Sequence, residues 1–226
     1  MELERAAMSQ APRPISPPPA AALATALRQA TATAHRAVET LPLSRRLLAP
    51  DLTLDEYRDY LYRLTLLHQG LEPHLTTIVP DALRRRLGAR PRLAALRDDL
   101  ARLDTEPPAP HNTLPARLCA EQGIDCGIGA LYVLEGSSLG GQLIARRLRA
   151  RFGARFTATE AIDPYGAAVG ARWRAFTLTL DALEHEGRID RPRVLHGAVT
   201  VFADIAGALS LAPLDIGRAR AQAEKG

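Results

Sequence analysis

Aromatic residues make up only 4% of this 226-residue chain, and isoleucine is sparse. Strand-forming side chains are therefore scarce, which argues against a β-rich fold. Cysteine is nearly absent: Cys119 and Cys126 are the only two. Two cysteines seven residues apart make neither a disulfide framework nor a zinc spacing, and they fit a reducing cytoplasm. No run of eighteen apolar residues occurs, so no membrane span is expected. The N-terminus has acidic residues where a signal peptide has basic ones and prolines where it has an apolar run, so a cytoplasmic location is expected. A large excess of one charge is missing too, because 29 basic and 25 acidic residues leave only +4. Arg84-Arg85-Arg86 and Arg146-Arg147 read as solvated helix faces, not as a nucleic-acid site. A basic face that docks an acidic electron carrier is a separate reading. The chain has no Rossmann fingerprint, no flavin motif and no internal repeat. It has no Glu-x-x-His either, which removes a di-iron carboxylate centre.

What is abundant is leucine, alanine and arginine, all strong helix formers. Hydrophobic residues reach 46%, an ordinary globular value that supports one domain with a real core. Residues 1–20 are set apart by Pro12, Pro14 and Pro17-Pro18-Pro19 and read as a disordered, proline-rich leader. From residue 21 to residue 226 the pattern is one all-α domain. Leu23, Leu27, Ala30, Ala34, Val38 and Leu41 recur at helical steps and predict a first helix. Pro42 and Pro50 bracket a connection. Thr53 and Glu56 form a capping box for a second helix running to about Thr77, with Pro73 as a kink. Further helices are predicted over Asp81–Leu103 (breaking near Pro91), Ile124–Phe152, Tyr165–Glu186 and Pro192–Leu211, with a loop at Thr105–Pro115. The architecture expected is a compact bundle of six to eight helices.

Two segments carry chemistry. On the first helix Arg28, His35 and Glu39 fall in one narrow polar strip, bordered by Thr31. Such a histidine can reach a ligand lying against the helix, while Glu39, one turn on, can orient its second ring nitrogen. Arg28 lies about 10 Å back along the axis, suited to a carboxylate at the far edge of a flat ligand. Alone, a histidine of this kind is more often a boundary residue. The second segment, Ala130–Gln142, looks helical on both sides yet contains Gly136, Gly140 and Gly141. Each costs about 1 kcal/mol against alanine in a helix interior. Removing three side chains lets something approach the backbone, either a flat ligand or another helix.

Leu27-Arg-Gln-Ala-Thr-Ala-Thr-Ala-His35-Arg-Ala-Val-Glu39 resembles the proximal helix of the heme oxygenases. Leu131-Tyr-Val-Leu-Glu-Gly-Ser-Ser-Leu-Gly-Gly-Gln142 resembles their distal helix, in the form of the bacterial, bacteriophytochrome-associated branch. The resemblance covers residues from about 21 to 212. It implies a single multi-helix domain with heme held between the first helix and a glycine-kinked distal helix. It also implies His35 as the axial iron ligand with Glu39 beside it, Arg28 and Tyr132 at the propionates, and Gly136, Ser137, Gly140 and Gly141 as the distal surface. His68 aligns with a position that helps hold distal water, and a satisfied core histidine is its alternative. Ser137 stands where mammalian-type members have an aspartate, so proton delivery falls to waters held by backbone groups, Ser137 or His68. The implied activity is oxygen-dependent opening of heme to biliverdin with release of iron and carbon monoxide. Heme serves as both substrate and cofactor. The implied partners are an electron donor (ferredoxin, flavodoxin or a reductase) and a bacteriophytochrome receiving the biliverdin. The alternative is a non-catalytic heme carrier or sensor using the same pocket. Arg172 and Arg174 are cations near the C-terminal side that the resemblance leaves unassigned.

Overall fold

The first helix buries Leu23, Leu27 and Thr31 and rests Ala34 and Val38 against the core. Full burial stabilises each of those leucines by roughly 1.5–3 kcal/mol. Ala30, expected in the stripe, is exposed. Thr31 takes its place, because steps of four from Leu23 and Leu27 lead to 31. The Thr31 hydroxyl donates to the Leu27 carbonyl at 2.8 Å, so its burial leaves no orphaned donor.

A computed structural model describes residues 22–110, 117 and 123–212. The proline leader and Cys119 lie outside the described residues, as does much of the loop expected at Thr105–Pro115. Among the described residues there is no strand. The helices are α1 (Leu23–Thr40), α2 (Pro42–Leu47), α3 (Leu54–Ile78), α4 (Asp81–Leu87), α5 (Leu93–Ala101), α6 (Gly123–Phe152), α7 (Val169–His185) and α8 (Arg191–Leu209). A short 3₁₀ turn, Gly166–Ala168, leads into α7.

Start and stop signals account for most boundaries. Thr53 accepts from the Glu56 N–H, and Glu56 accepts from the Thr53 N–H at 2.9 Å, the reciprocal capping box expected for α3. That helix continues through Pro73 to Ile78. Between Pro42 and Pro50 the connection contains α2, which opens with proline in its first turn. The helical stretch expected over Asp81–Leu103, breaking near Pro91, is the pair α4 and α5 with Pro91 in their connection. Gly88 adopts φ +70, and the N–H groups of Gly88 and Ala89 cap the Arg85 and Arg84 carbonyls. The chain therefore stops at Gly88, ahead of Pro91.

α6 is helical without a break through Gly136, Gly140 and Gly141 and spans 30 residues. Its first half packs in a core with α1, the end of α3, α7 and α8, and its second half in a core with the start of α3, α5 and residues 158–162. α6 and α8 meet at backbone distance. A β-carbon at Gly129 would strike the Val194 carbonyl, and one at Gly197 would strike the Cys126 carbonyl. Two polar anchors hold the second core. Tyr57 donates to the Ala158 carbonyl at 2.6 Å, and Asp99 accepts the Ala161 N–H at 2.8 Å. Arg63, buried, pairs with Asp59 and donates to the Leu209 and Leu211 carbonyls, closing the end of α8.

Candidate functional site

α1 and α6 both pack on α8. On α1, His35 has 58% of its side chain exposed. Its Nδ1 lies 3.4 Å from a Glu39 carboxylate oxygen, and its ring meets Phe202 of α8 edge-on at 5.8 Å. An exposed imidazole fixed by a carboxylate one turn later and an aromatic ring beneath it is oriented, yet open to a ligand. Arg28 is exposed two turns earlier. Its charge reaches Tyr132 of α6: burial pushes the Tyr132 hydroxyl pKa up, and Arg28 opposes that rise. Arg28 is thus close enough to Tyr132 for its charge to be felt there.

Gly136, Gly140 and Gly141 of α6 have three different environments. Nothing lies within 4 Å of a β-carbon at Gly140. Its flanking side chains Leu139 and Leu143 are 40% and 44% exposed, so bare backbone and unburied apolar surface adjoin. Gly136, one turn earlier on the same face, is covered: the indole of Trp173 comes within 3.1 Å of its β-carbon position. Gly141 is turned away and packs against the Ile162 carbonyl. Of the glycines expected to floor a ligand site, only Gly140 is open.

Ser137 borders the open face, while His68 does not. His68 lines a cavity with Glu72, Arg92, Leu131, Leu134 and Glu135. At 100° per residue the last three α6 positions lie on the side turned away from Gly140. His68 Nδ1 contacts a Glu72 oxygen at 2.8 Å. The same oxygen accepts the backbone N–H groups of Arg92 and Leu93 at 2.7 and 3.0 Å. Burial pushes the Glu72 pKa up, but His68 and those two N–H groups outweigh it and hold the carboxyl below its ordinary value. The guanidinium of Arg92, 7% exposed, donates to Ser137 Oγ at 3.3 Å and lies 3.8 Å from a Glu135 oxygen. Its Nε and Nη2 have no hydrogen-bond partner. The Glu135 carboxylate accepts from the Arg90 N–H at 3.0 Å and from the Tyr165 hydroxyl at 2.7 Å.

Sequence reasoning missed Arg92, Glu72, Glu135 and Trp173. The first three meet only through contacts between distant parts of the chain, and no local pattern marks them. Trp173 carried a faint signal, being the only tryptophan and lying three residues before Phe176. Arg172 is committed elsewhere: it donates to the Gly88 carbonyl at 3.1 Å and covers the Tyr165 ring.

An exposed, oriented histidine on α1 and a bare glycine backbone on α6 are features that a flat ligand carrying a metal could use. Residues 21–205 match the family described as heme oxygenase. The chain belongs to the heme oxygenase family. Solved structures agree on the fold. Heme oxygenase from Leptospira interrogans superposes with a TM-score of 0.66 at 22% identity, covering 84% of this chain and 98% of that one. The NO- and CO-bound heme oxygenase of Neisseria meningitidis gives 0.61 at 20%, covering 85% and 94%. Heme oxygenase-1 of the cyanobacterium Synechocystis sp. PCC6803, in complex with heme, gives 0.59 at 17%, covering 90% and 97%. No curated protein matches the sequence. The residues present fit a heme: His35 offers an exposed ring nitrogen, and the open Gly140 backbone beside exposed leucines leaves room for a flat apolar ligand. Among the described residues no helix is long and apolar enough to cross a membrane.

Proposed function

We propose that the protein is a heme oxygenase that opens heme to biliverdin, releasing iron and carbon monoxide, with electrons from a separate donor protein. The observations that support this reading are the family match over residues 21–205, the exposed His35 held by Glu39, and the bare Gly140 backbone on α6. Heme would be the substrate and would also supply the redox chemistry.

The chain's own residues bind, orient and hold water. His35 ligates through a neutral ring nitrogen, and Glu39 fixes the ring. Arg28 and Tyr132 take the propionates by charge-assisted and neutral hydrogen bonds. Gly140, Leu139 and Leu143 form an apolar floor that restricts access to the ring. Ser137 stands in for an aspartate, and Arg92 behind it is the group that compensates. Its two unpartnered N–H-bearing nitrogens adjoin a cavity of about 30 Å³, large enough for a water. We infer that Arg92, Ser137 and Glu135 hold the water that passes protons to the open face, and that His68 acts at a distance through Glu72. A cytoplasmic setting and a bacteriophytochrome as recipient of biliverdin belong to the same proposal.

Titration with hemin tests binding. The expected result is one heme per chain with a histidine-ligated spectrum, and its loss or replacement in His35→Ala. Aerobic incubation with a reductant then separates the enzyme from a carrier or sensor. Biliverdin establishes turnover, and stable bound heme without biliverdin rejects it.

A further inference from the structure

The indole of Trp173 sits where the glycine pattern called for ligand. The far carbons of its six-membered ring, Cη2 and Cζ3, come to 3.1 and 3.4 Å from a β-carbon position at Gly136. Contacts tighter than 3.4 Å leave no room for a methyl without displacement of the ring. The indole is held on two further sides: it stacks on Phe176 with centroids 5.7 Å apart and planes at 6°, and it tilts against Tyr132 at 5.1 Å. Phe176 and Tyr132 are themselves buried in the core. Three supports make this a fixed wall, since offset or tilted aromatic pairs add roughly 0.5–1.5 kcal/mol each beyond burial.

The wall stands at one end of the open face. Gly136 and Gly140 are one helical turn apart, about 6 Å along the axis. A flat ligand on α6 therefore has Gly140, Leu139 and Leu143 beneath it and the edge of Trp173 as a stop. The four edges of a porphyrin ring are nearly alike, so its rotation and sliding must be fixed by contacts at its rim. Arg28 and Tyr132 supply polar contacts, and Trp173 touches Tyr132 directly.

We propose that Trp173 is a specificity-determining residue, setting the in-plane seating of the heme and so the ring carbon that is oxidised. Gly136 is glycine to admit the indole, and Gly140 is glycine to admit the ligand. This rests on the heme oxygenase reading above.

Trp173→Phe tests it, because phenylalanine keeps the stack on Phe176 but loses the far ring that reaches Gly136. The readouts are the heme-methyl proton shifts of the ferric cyanide complex, which report seating without turnover, the biliverdin isomer ratio, and the melting temperature of the apoprotein. Wild-type protein is expected to show one dominant methyl set and one dominant isomer. In Trp173→Phe heme still binds, and a second methyl set and a second isomer rise several-fold together. Gly136→Ala in the wild-type background should displace the indole and shift the methyl pattern the same way. In the Trp173→Phe background Gly136→Ala should add nothing. Unchanged methyl shifts and isomer ratio in Trp173→Phe would overturn the proposal. So would a Gly136→Ala that disturbs the heme equally in both backgrounds, since the glycine would then face the heme itself. Failure of wild-type protein to bind hemin overturns the heme reading first and this inference with it. Binding with an unaltered seating overturns this inference alone.

Discussion

The carbonyl of Ile162 occupies the space that a β-carbon on Gly141 would need. Backbone meets backbone there, so neither side can yield by rotating a side chain. Gly141→Ala must push α6 and the 158–162 segment apart, and overpacking of this kind costs about 1–3 kcal/mol. The expected outcome is a melting temperature lowered by several degrees in the apoprotein, with or without hemin in the buffer. Calorimetry that shows an unchanged apoprotein would contradict the contact.

One residue earlier the expectation reverses. A methyl at Gly140 meets nothing within 4 Å, and alanine gains about 1 kcal/mol of helix propensity over glycine. Gly140→Ala should therefore leave the apoprotein as stable as wild type or slightly more so. Its heme spectrum and biliverdin yield should nevertheless change, because the methyl projects from the floor of the site. Normal turnover in a normally stable Gly140→Ala would remove Gly140 from the ligand surface.

This contrast marks the limit of what the sequence makes legible. Two adjacent glycines look alike in a string of letters. Whether each faces solvent or a neighbour depends on where residues 158–162 return, and that position is set by Tyr57 and Asp99, which are 101 and 62 residues from their partners along the chain. Local signals were readable: the Thr53–Glu56 capping box, the apolar steps of α1 and the long run of α6 all appear in the fold. The break near Pro91 was legible, while the exact stop at Gly88 was not, because a left-handed cap depends on the N–H groups of Gly88 and Ala89 closing back. The shared strip of His35 and Glu39 on one helix was visible in their spacing, and the two side chains lie 3.4 Å apart. Arg92 was not, since its partners Ser137 and Glu135 lie on another helix.

Arg28 and Tyr132 should act together on heme affinity. A hydrogen bond to a charged group is worth roughly 1.5–3 kcal/mol when sheltered and less at an exposed edge. Arg28→Gln is therefore expected to weaken hemin binding about tenfold, since 1.4 kcal/mol is a factor of ten. Tyr132→Phe should cost less. Hemin titrations followed by absorbance measure both, and affinities equal to wild type in each variant would dismiss propionate anchoring at this edge.

Arg92 should separate binding from turnover. Arg92→Gln removes the cation behind Ser137 without touching the His35 strip, so hemin affinity should stay within a few-fold of wild type. If Arg92 holds the water that delivers protons, biliverdin formation should fall by at least about tenfold, the lower reach of positioned proton transfer. Single-turnover absorbance at saturating hemin gives the rate, and apoprotein melting reports any structural loss from leaving Glu135 without its neighbour. A rate equal to wild type would return proton delivery to Ser137 and the backbone alone.

Glu72 makes the acid limb of stability predictable in sign. Burial raises its pKa, but the contact with His68 and the N–H groups of Arg92 and Leu93 lower it further, so the folded value lies below the unfolded one. A depressed carboxylate contributes stability that is fully present above the unfolded pKa and is lost as pH falls through the folded pKa. Stability should therefore be level near neutrality on account of this group and decline below the ordinary glutamate range. Glu72→Gln keeps an oxygen to accept from Arg92 and Leu93 but cannot titrate. The variant should be less stable at pH 6 and should lose less stability than wild type between pH 5 and pH 3. Denaturant midpoints across that range give the comparison. If wild type and Glu72→Gln lose stability in parallel as the solution is acidified, Glu72 is not depressed in the folded state, and the link from His68 through Glu72 to the Arg92 loop does not carry charge.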